Sequence, residues 1–77
     1  YSAHLPDAYF FLVEAHFQLQ EYDQVITNVN KMVDLYPELE LTGYALLRAA
    51  KVFELQERHD EAVVFYETVI KTFPHRE

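Results

Sequence analysis

The 77-residue chain has no cysteine and no tryptophan, one glycine and three prolines. Without cysteine it can build neither a disulfide framework nor a thiolate zinc site. A single glycine, Gly43, leaves no means of making a glycine-rich phosphate loop. Ser2 is the sole serine and stands next to the first residue, so a serine or cysteine nucleophile is missing too. His4, His16, His59 and His75 form neither an H-E-x-x-H nor a His-x3-His pair, so no metal ion is expected. His16 and His59 are assigned packing or surface roles. No apolar run reaches the roughly 18 residues that a membrane-spanning helix needs. Basic residues are scarce as well: 6 Lys and Arg stand against 13 Asp and Glu, for a net charge of -7. Such a balance repels nucleic acid. At low salt it would steer a basic partner instead. The carboxylates cluster at helix starts and outer faces, where solvent and helix dipoles account for them without a paired acid and base. These absences read together as a chain that is not an enzyme and holds no cofactor.

What remains is apolar. Hydrophobic residues make up 51% of the chain, too many for a disordered segment. The length suits one small domain. A chain this short buries only about 60% of its unfolded surface, so neighbours are expected to contribute to stability. The sequence opens on Tyr1 rather than Met and shows no secretory leader, which reads as a segment of a longer protein.

Apolar residues recur at helical spacing in four stretches. The first holds Leu5, Tyr9, Leu12, Ala15, His16 and Leu19, and the second Tyr22, Val25, Ile26, Val29, Met32, Val33 and Tyr36. The third runs through Leu41, Ala45, Leu46, Ala49, Ala50, Val52 and Phe53, and the fourth through Ala62, Val63, Tyr66, Val69, Ile70 and Phe73. Pro6 suits a first helical turn, where a missing N–H costs nothing. Pro37 and Pro74 follow runs that they cannot continue. Asp7, Asp23, Asp60 and Glu61 fall near helix N-termini, and Lys31 and Lys71 near C-termini, the polarity that helix dipoles favour. The links Gln20–Glu21 and Gln56–Arg58 are short enough to fold the helices back as antiparallel pairs.

The two halves repeat. A shift of 37 residues sets Ala8 on Ala45, Asp23 on Asp60 and Pro37 on Pro74, and carries Ile26, Val29, Met32, Val33 and Tyr36 onto Val63, Tyr66, Val69, Ile70 and Phe73. The first copy reads Tyr9-x2-Leu12-Val13-x2-His16, Val25-x3-Val29, Pro37, and the second Leu46-x2-Ala49-Ala50-x2-Phe53, Ala62-x3-Tyr66, Pro74. This resembles the tetratricopeptide (TPR) pattern W-x2-L-G-x2-Y, A-x3-F, P. The resemblance covers residues 5 to 74. It implies an all-α fold of two stacked helix-turn-helix hairpins, four antiparallel helices in a right-handed superhelical fragment. Repeat one would occupy 5–37 and repeat two 38–77 of a single domain, 1–77. Val13 and Val25 stand where the family has small residues, which should hold the paired helices slightly apart. The link Glu38–Thr42 is about three residues long against the consensus, so helix three is expected to start early, at Leu39. The endings Leu35-Tyr36-Pro37 and Thr72-Phe73-Pro74 resemble those of bacterial cell-envelope TPR proteins of the Tol–Pal-associated and outer-membrane assembly groups. That likeness implies a periplasmic setting, with cytoplasm the alternative because Tyr-Pro and Phe-Pro also end cytoplasmic repeats.

The resemblance implies a protein-binding module whose stacked first helices form a concave groove for a partner peptide or helix. The residues that match are Asp7, Phe10, Glu14 and Phe17 on helix one and Tyr44, Leu47, Lys51 and Glu54 on helix three. Each set shares one helical face, and the alternative for Phe10 and Leu47 is packing between repeats. TPR domains that clamp chaperone C-termini use Lys, Asn and Arg at such places; here Phe10, Glu14, Leu47 and Lys51 stand there, of which only Lys51 could help and Glu14 would repel a carboxylate, so that function is not expected. Phe11 has a polar counterpart, Arg48, and is either an exposed aromatic at an interface or core in a variant packing. A second reading is structural. The last helix carries more apolar residues than one stripe can bury, and an exposed patch of several hundred Å² marks an interface. Val64, Phe65 and Phe73 are the candidates for a self-association face, covered by a second copy or by a further repeat of the parent chain.

Overall fold

A computed structural model describes residues 6–74. Four helices follow one another: α1 Pro6–Gln18, α2 Tyr22–Leu35, α3 Glu40–Leu55 and α4 His59–Thr72. The helix-period patterning and the sparse breakers produce an all-α fold of two stacked hairpins, α1 with α2 and α3 with α4. Pro6 opens α1, Pro37 lies two residues beyond the end of α2, and α3 starts at Glu40 behind its N-cap Leu39. No helix among the described residues is long and apolar enough to cross a membrane.

The two inter-helix turns are copies of each other. Gln20 and Glu57, 37 positions apart, both have φ of 61°, in the left-handed region. Around Gln20 the amide of Glu21 donates to the carbonyl of His16, and around Glu57 that of Arg58 donates to Phe53. These six-to-one bonds close the C-terminal turns of α1 and α3. A side chain at positive φ crowds its own carbonyl, and glycine escapes that cost. Gln20→Gly and Glu57→Gly are each expected to stabilise the chain by about 0.5–1 kcal/mol. A rise of a few degrees in the thermal midpoint checks this; a fall would mean that the side chains hold the turns.

The core lies where α3 meets the first hairpin. Val13, Val25, Val29 and Met32 from hairpin one and Ala45, Leu46, Ala49 and Val52 from α3 form one buried cluster. Small residues on α3 let the helices approach closely. Thr42, fully buried in its first turn, donates its hydroxyl to the carbonyl of Tyr36 at 2.7 Å and so satisfies the end of α2. On the other side of α3, Phe53 packs its ring 5.2 Å from Phe65 of α4, and Phe73 lies against Gly43. A Cβ on residue 43 would stand 3.1 Å from the Phe73 ring, so glycine lets α4's end fold onto α3.

Two expected stripes differ in detail. On α1 the fully buried residue is Val13, while Leu12 and Leu19 are exposed and Phe11 points to solvent. Helix α1 carries apolar residues beyond the faces that α2 and α3 cover, so tertiary contact selects what is buried and periodicity does not. On α4 only Ala62 is fully buried, and Val63 and Ile70 are exposed for the same reason. Leu5 lies outside the described residues.

Candidate functional site

Helices α1 and α3 run in the same direction side by side, because each is followed by a tight turn into an antiparallel partner. Between them lies a cleft of about 360 Å³, lined by Phe10 and Glu14 from α1 and by Leu41, Tyr44, Leu47 and Arg48 from α3. Four of the eight residues expected in a groove therefore meet there: Phe10, Glu14, Tyr44 and Leu47. The other four do not line it. Asp7 is exposed near the start of α1. Phe17 packs its ring 6.2 Å from Tyr22 and beneath the Arg48 guanidinium, 5.1 Å away. Lys51 approaches Glu54 at 3.8 Å, and Glu54 accepts a 3.1 Å hydrogen bond from the Tyr66 hydroxyl of α4. Burial, the hydrogen bond to Glu54 and its charge raise the Tyr66 pKa above the ordinary tyrosine value.

Arg48 was the residue least visible in the sequence. Its Nε donates to Glu14 Oε1 at 2.7 Å and its Nη2 to Oε2 at 3.1 Å, a two-pronged fork across the wall of the cleft. With its guanidinium also over Phe17, Arg48 ties the two repeats together across the cleft. The signal was present as opposite charges spaced 34 residues apart, about one repeat, on helices that run side by side. A carboxylate entering the cleft would have to compete with Glu14 for this cation.

Other polar groups are engaged locally. His16 Nδ1 lies 2.7 Å from Glu21 Oε1, next to the first turn. Arg58 forks onto Glu61 at 2.7 and 2.6 Å and covers the Phe53 ring at 4.7 Å. That pairing holds the Glu61 carboxyl below, and the Arg58 guanidinium above, their usual ranges. Among the described residues no three His, Cys, Asp or Glu side chains converge as a metal site would require. His4 and His75 lie outside the described residues.

The proposed self-association residues are not one surface. Val64 is exposed and, with Phe65, Asn30, Val33, Leu46 and Thr68, borders a shallow recess of about 190 Å³ over the junction of the hairpins. Phe65 is half-buried against Phe53. Phe73 is half-buried on Gly43, beside a separate recess of about 70 Å³ that Glu40, Tyr44, Leu47 and Val69 complete. Both rings are thus drawn inward by α3, which a helical wheel of α4 alone does not reveal. Phe11 is settled as an exposed aromatic, 71% accessible.

Residues 44–75, which take in most of the second hairpin, match the family described as tetratricopeptide repeat. The second hairpin is thus similar to a TPR-type repeat. The first hairpin lies outside the matched residues and is related to the second through the 37-residue register and the shared turn geometry. TPR-type repeats mediate protein–protein interaction and are typically non-catalytic scaffolds. No curated protein and no solved structure matches the chain. The likeness of the repeat endings to bacterial cell-envelope proteins finds no support in these comparisons.

Proposed function

We propose that the chain is a non-catalytic protein-binding module that takes a partner peptide or helix in the cleft between α1 and α3. The observation that carries this reading is the cleft itself. Both repeats contribute to it, and its walls combine the apolar side chains of Phe10, Leu41 and Leu47 with the amphipathic ring of Tyr44. Such a surface provides anchors for apolar side chains within a polar rim, and aromatic anchors carry most of the affinity at interfaces of this kind. A partner would span both hairpins, so its binding would depend on their stacking. The paired state of Arg48 sets this cleft apart from a carboxylate clamp.

Peptides selected from a displayed random library against the 77-residue chain provide the test. Affinity of the selected peptides should fall by more than about 1 kcal/mol, roughly fivefold or more, for Phe10→Ala and again for Tyr44→Ala. Selected peptides that bind the double variant as well as the parent, with helicity retained, would place the binding surface elsewhere.

A further inference from the structure

The molecule contains an interface that its two ends are built to repeat. In the internal contact, α3 presents Ala45, Leu46, Ala49 and Val52 to hairpin one. Hairpin one receives them on Val29 and Met32, fully buried, with Phe10, Ile26 and Val33 packed at the margin. Moved back by 37 residues, the presenting side becomes Ala8, Tyr9, Leu12 and Ala15 of α1, of which Ala8 and Leu12 are exposed. Moved forward by 37, the receiving side becomes Tyr66, Val69, Leu47, Val63 and Ile70 of hairpin two. Here Val63 is 51% and Ile70 67% accessible, whereas their counterparts Ile26 and Val33 are packed against the core. Among the described residues, one end is thus a presenting face with no receiver, and the other a receiving face with no presenter.

The polar margin favours a second copy as the occupant. Inside the molecule the presenting helix supplies the cation, Arg48, and the receiving helix supplies the acid and the ring, Glu14 and Phe17. At the free ends the roles are exchanged. The presenting helix supplies a ring, Phe11, at the Arg48 position, and the receiving face supplies a cation, Lys51, at the Glu14 position, half exposed. Ring over cation is again a favourable pair. Ala8 repeats Ala45 and Ala15 is smaller than its counterpart Val52, while Leu12 adds exposed apolar surface where α3 has Ala49. We propose that the α1 face of one copy docks on the α3–α4 face of another, head to tail, repeating the α3–hairpin-one contact between molecules. A head-to-tail contact of this kind leaves a free face at each end, so assembly proceeds by addition and does not stop at two.

Molar mass by light scattering across micromolar to millimolar concentrations tests this. The chain is expected to grow beyond the mass of two copies as concentration rises. Phe11→Asp removes the presenting face and Ile70→Asp the receiving face; each variant alone should stay at the mass of one copy with unchanged helicity. Mixed, they should combine through their intact faces and stop at two, twice the mass of either alone. Should Ile70→Asp lose helicity, Val63→Lys tests the same face. A parent chain that stays monomeric throughout would overturn the proposal. So would assembly that survives either substitution, since it would use another surface, or a mixture that fails to combine, since the contact would then not be head to tail.

Discussion

Phe53→Ala is expected to destabilise the chain by about 3–5 kcal/mol. Phe53 is almost fully buried, with the Phe65 ring on one side and the Arg58 guanidinium over its face. Truncation would remove the partner of both and leave a cavity between α3 and α4. Phe65 is only half-buried and sits on a flanking helix, so partial collapse should hold the loss toward the lower end of that range. Even so, a domain of this size has only about 4–12 kcal/mol to lose. Urea unfolding followed by circular dichroism would show a lower midpoint at similar slope. Phe53→Leu, which keeps most of the volume, should cost less than about 1.5 kcal/mol. Equal losses for the two variants would mean that ring-specific contacts, not the filled volume, matter at this position.

The second large effect is expected at the junction of the repeats. Ala49 is fully buried on the face of α3 that meets Val13, Val29 and Met32. Ala49→Glu would force a methylene and a carboxylate, four extra heavy atoms, into that contact, with no buried cation beside it. An uncompensated buried charge costs about 3–5 kcal/mol. The sign of its pH dependence follows from desolvation: burial raises the introduced carboxyl's pKa above its unfolded value. The native state therefore tolerates the protonated form best, and the stability deficit is largest near neutral pH and shrinks as pH falls. Measuring unfolding of variant and parent at neutral and at mildly acidic pH separates this from simple overpacking, which would leave the difference unchanged with pH.

The helices, their boundaries and their pairing were legible because they rest on local signals. Pro6, Pro37 and the short Gln20–Glu21 link act through backbone sterics that need no tertiary knowledge. Val25, Val29 and Met32 were legible as core because α2 has an unambiguous stripe. The same reasoning failed for Leu12 and Leu19, which periodicity placed inside and the structure leaves exposed. An end helix with more apolar residues than its neighbours cover buries those that they touch, and that choice is made by contacts distant in sequence. Phe65 and Phe73 show the converse. They were assigned outward because α4 has a surplus of apolar residues, yet Phe53 and Gly43 of α3 draw both rings in. Four of the eight residues expected in a groove, namely Phe10, Glu14, Tyr44 and Leu47, line one cleft and were legible because two helix faces were compared in register. Arg48 was missed because its position matched Phe11 and its role depends on Glu14 across the cleft.

Helix α3 has eight fully or nearly buried residues, divided between two neighbours: Ala45, Ala49 and Val52 toward the first hairpin, Gly43 and Phe53 toward α4. It is a structural member of both units at once. The boundary at Pro37 divides the sequence into two copies, but no plane through the molecule divides the buried surface in the same way. Removing residues beyond Pro37 would strip the first hairpin of its lid, and removing those before it would strip α3 of half its contacts. The two repeats are equal in pattern but share the buried surface of α3, so the first hairpin is expected to need α3 for its core.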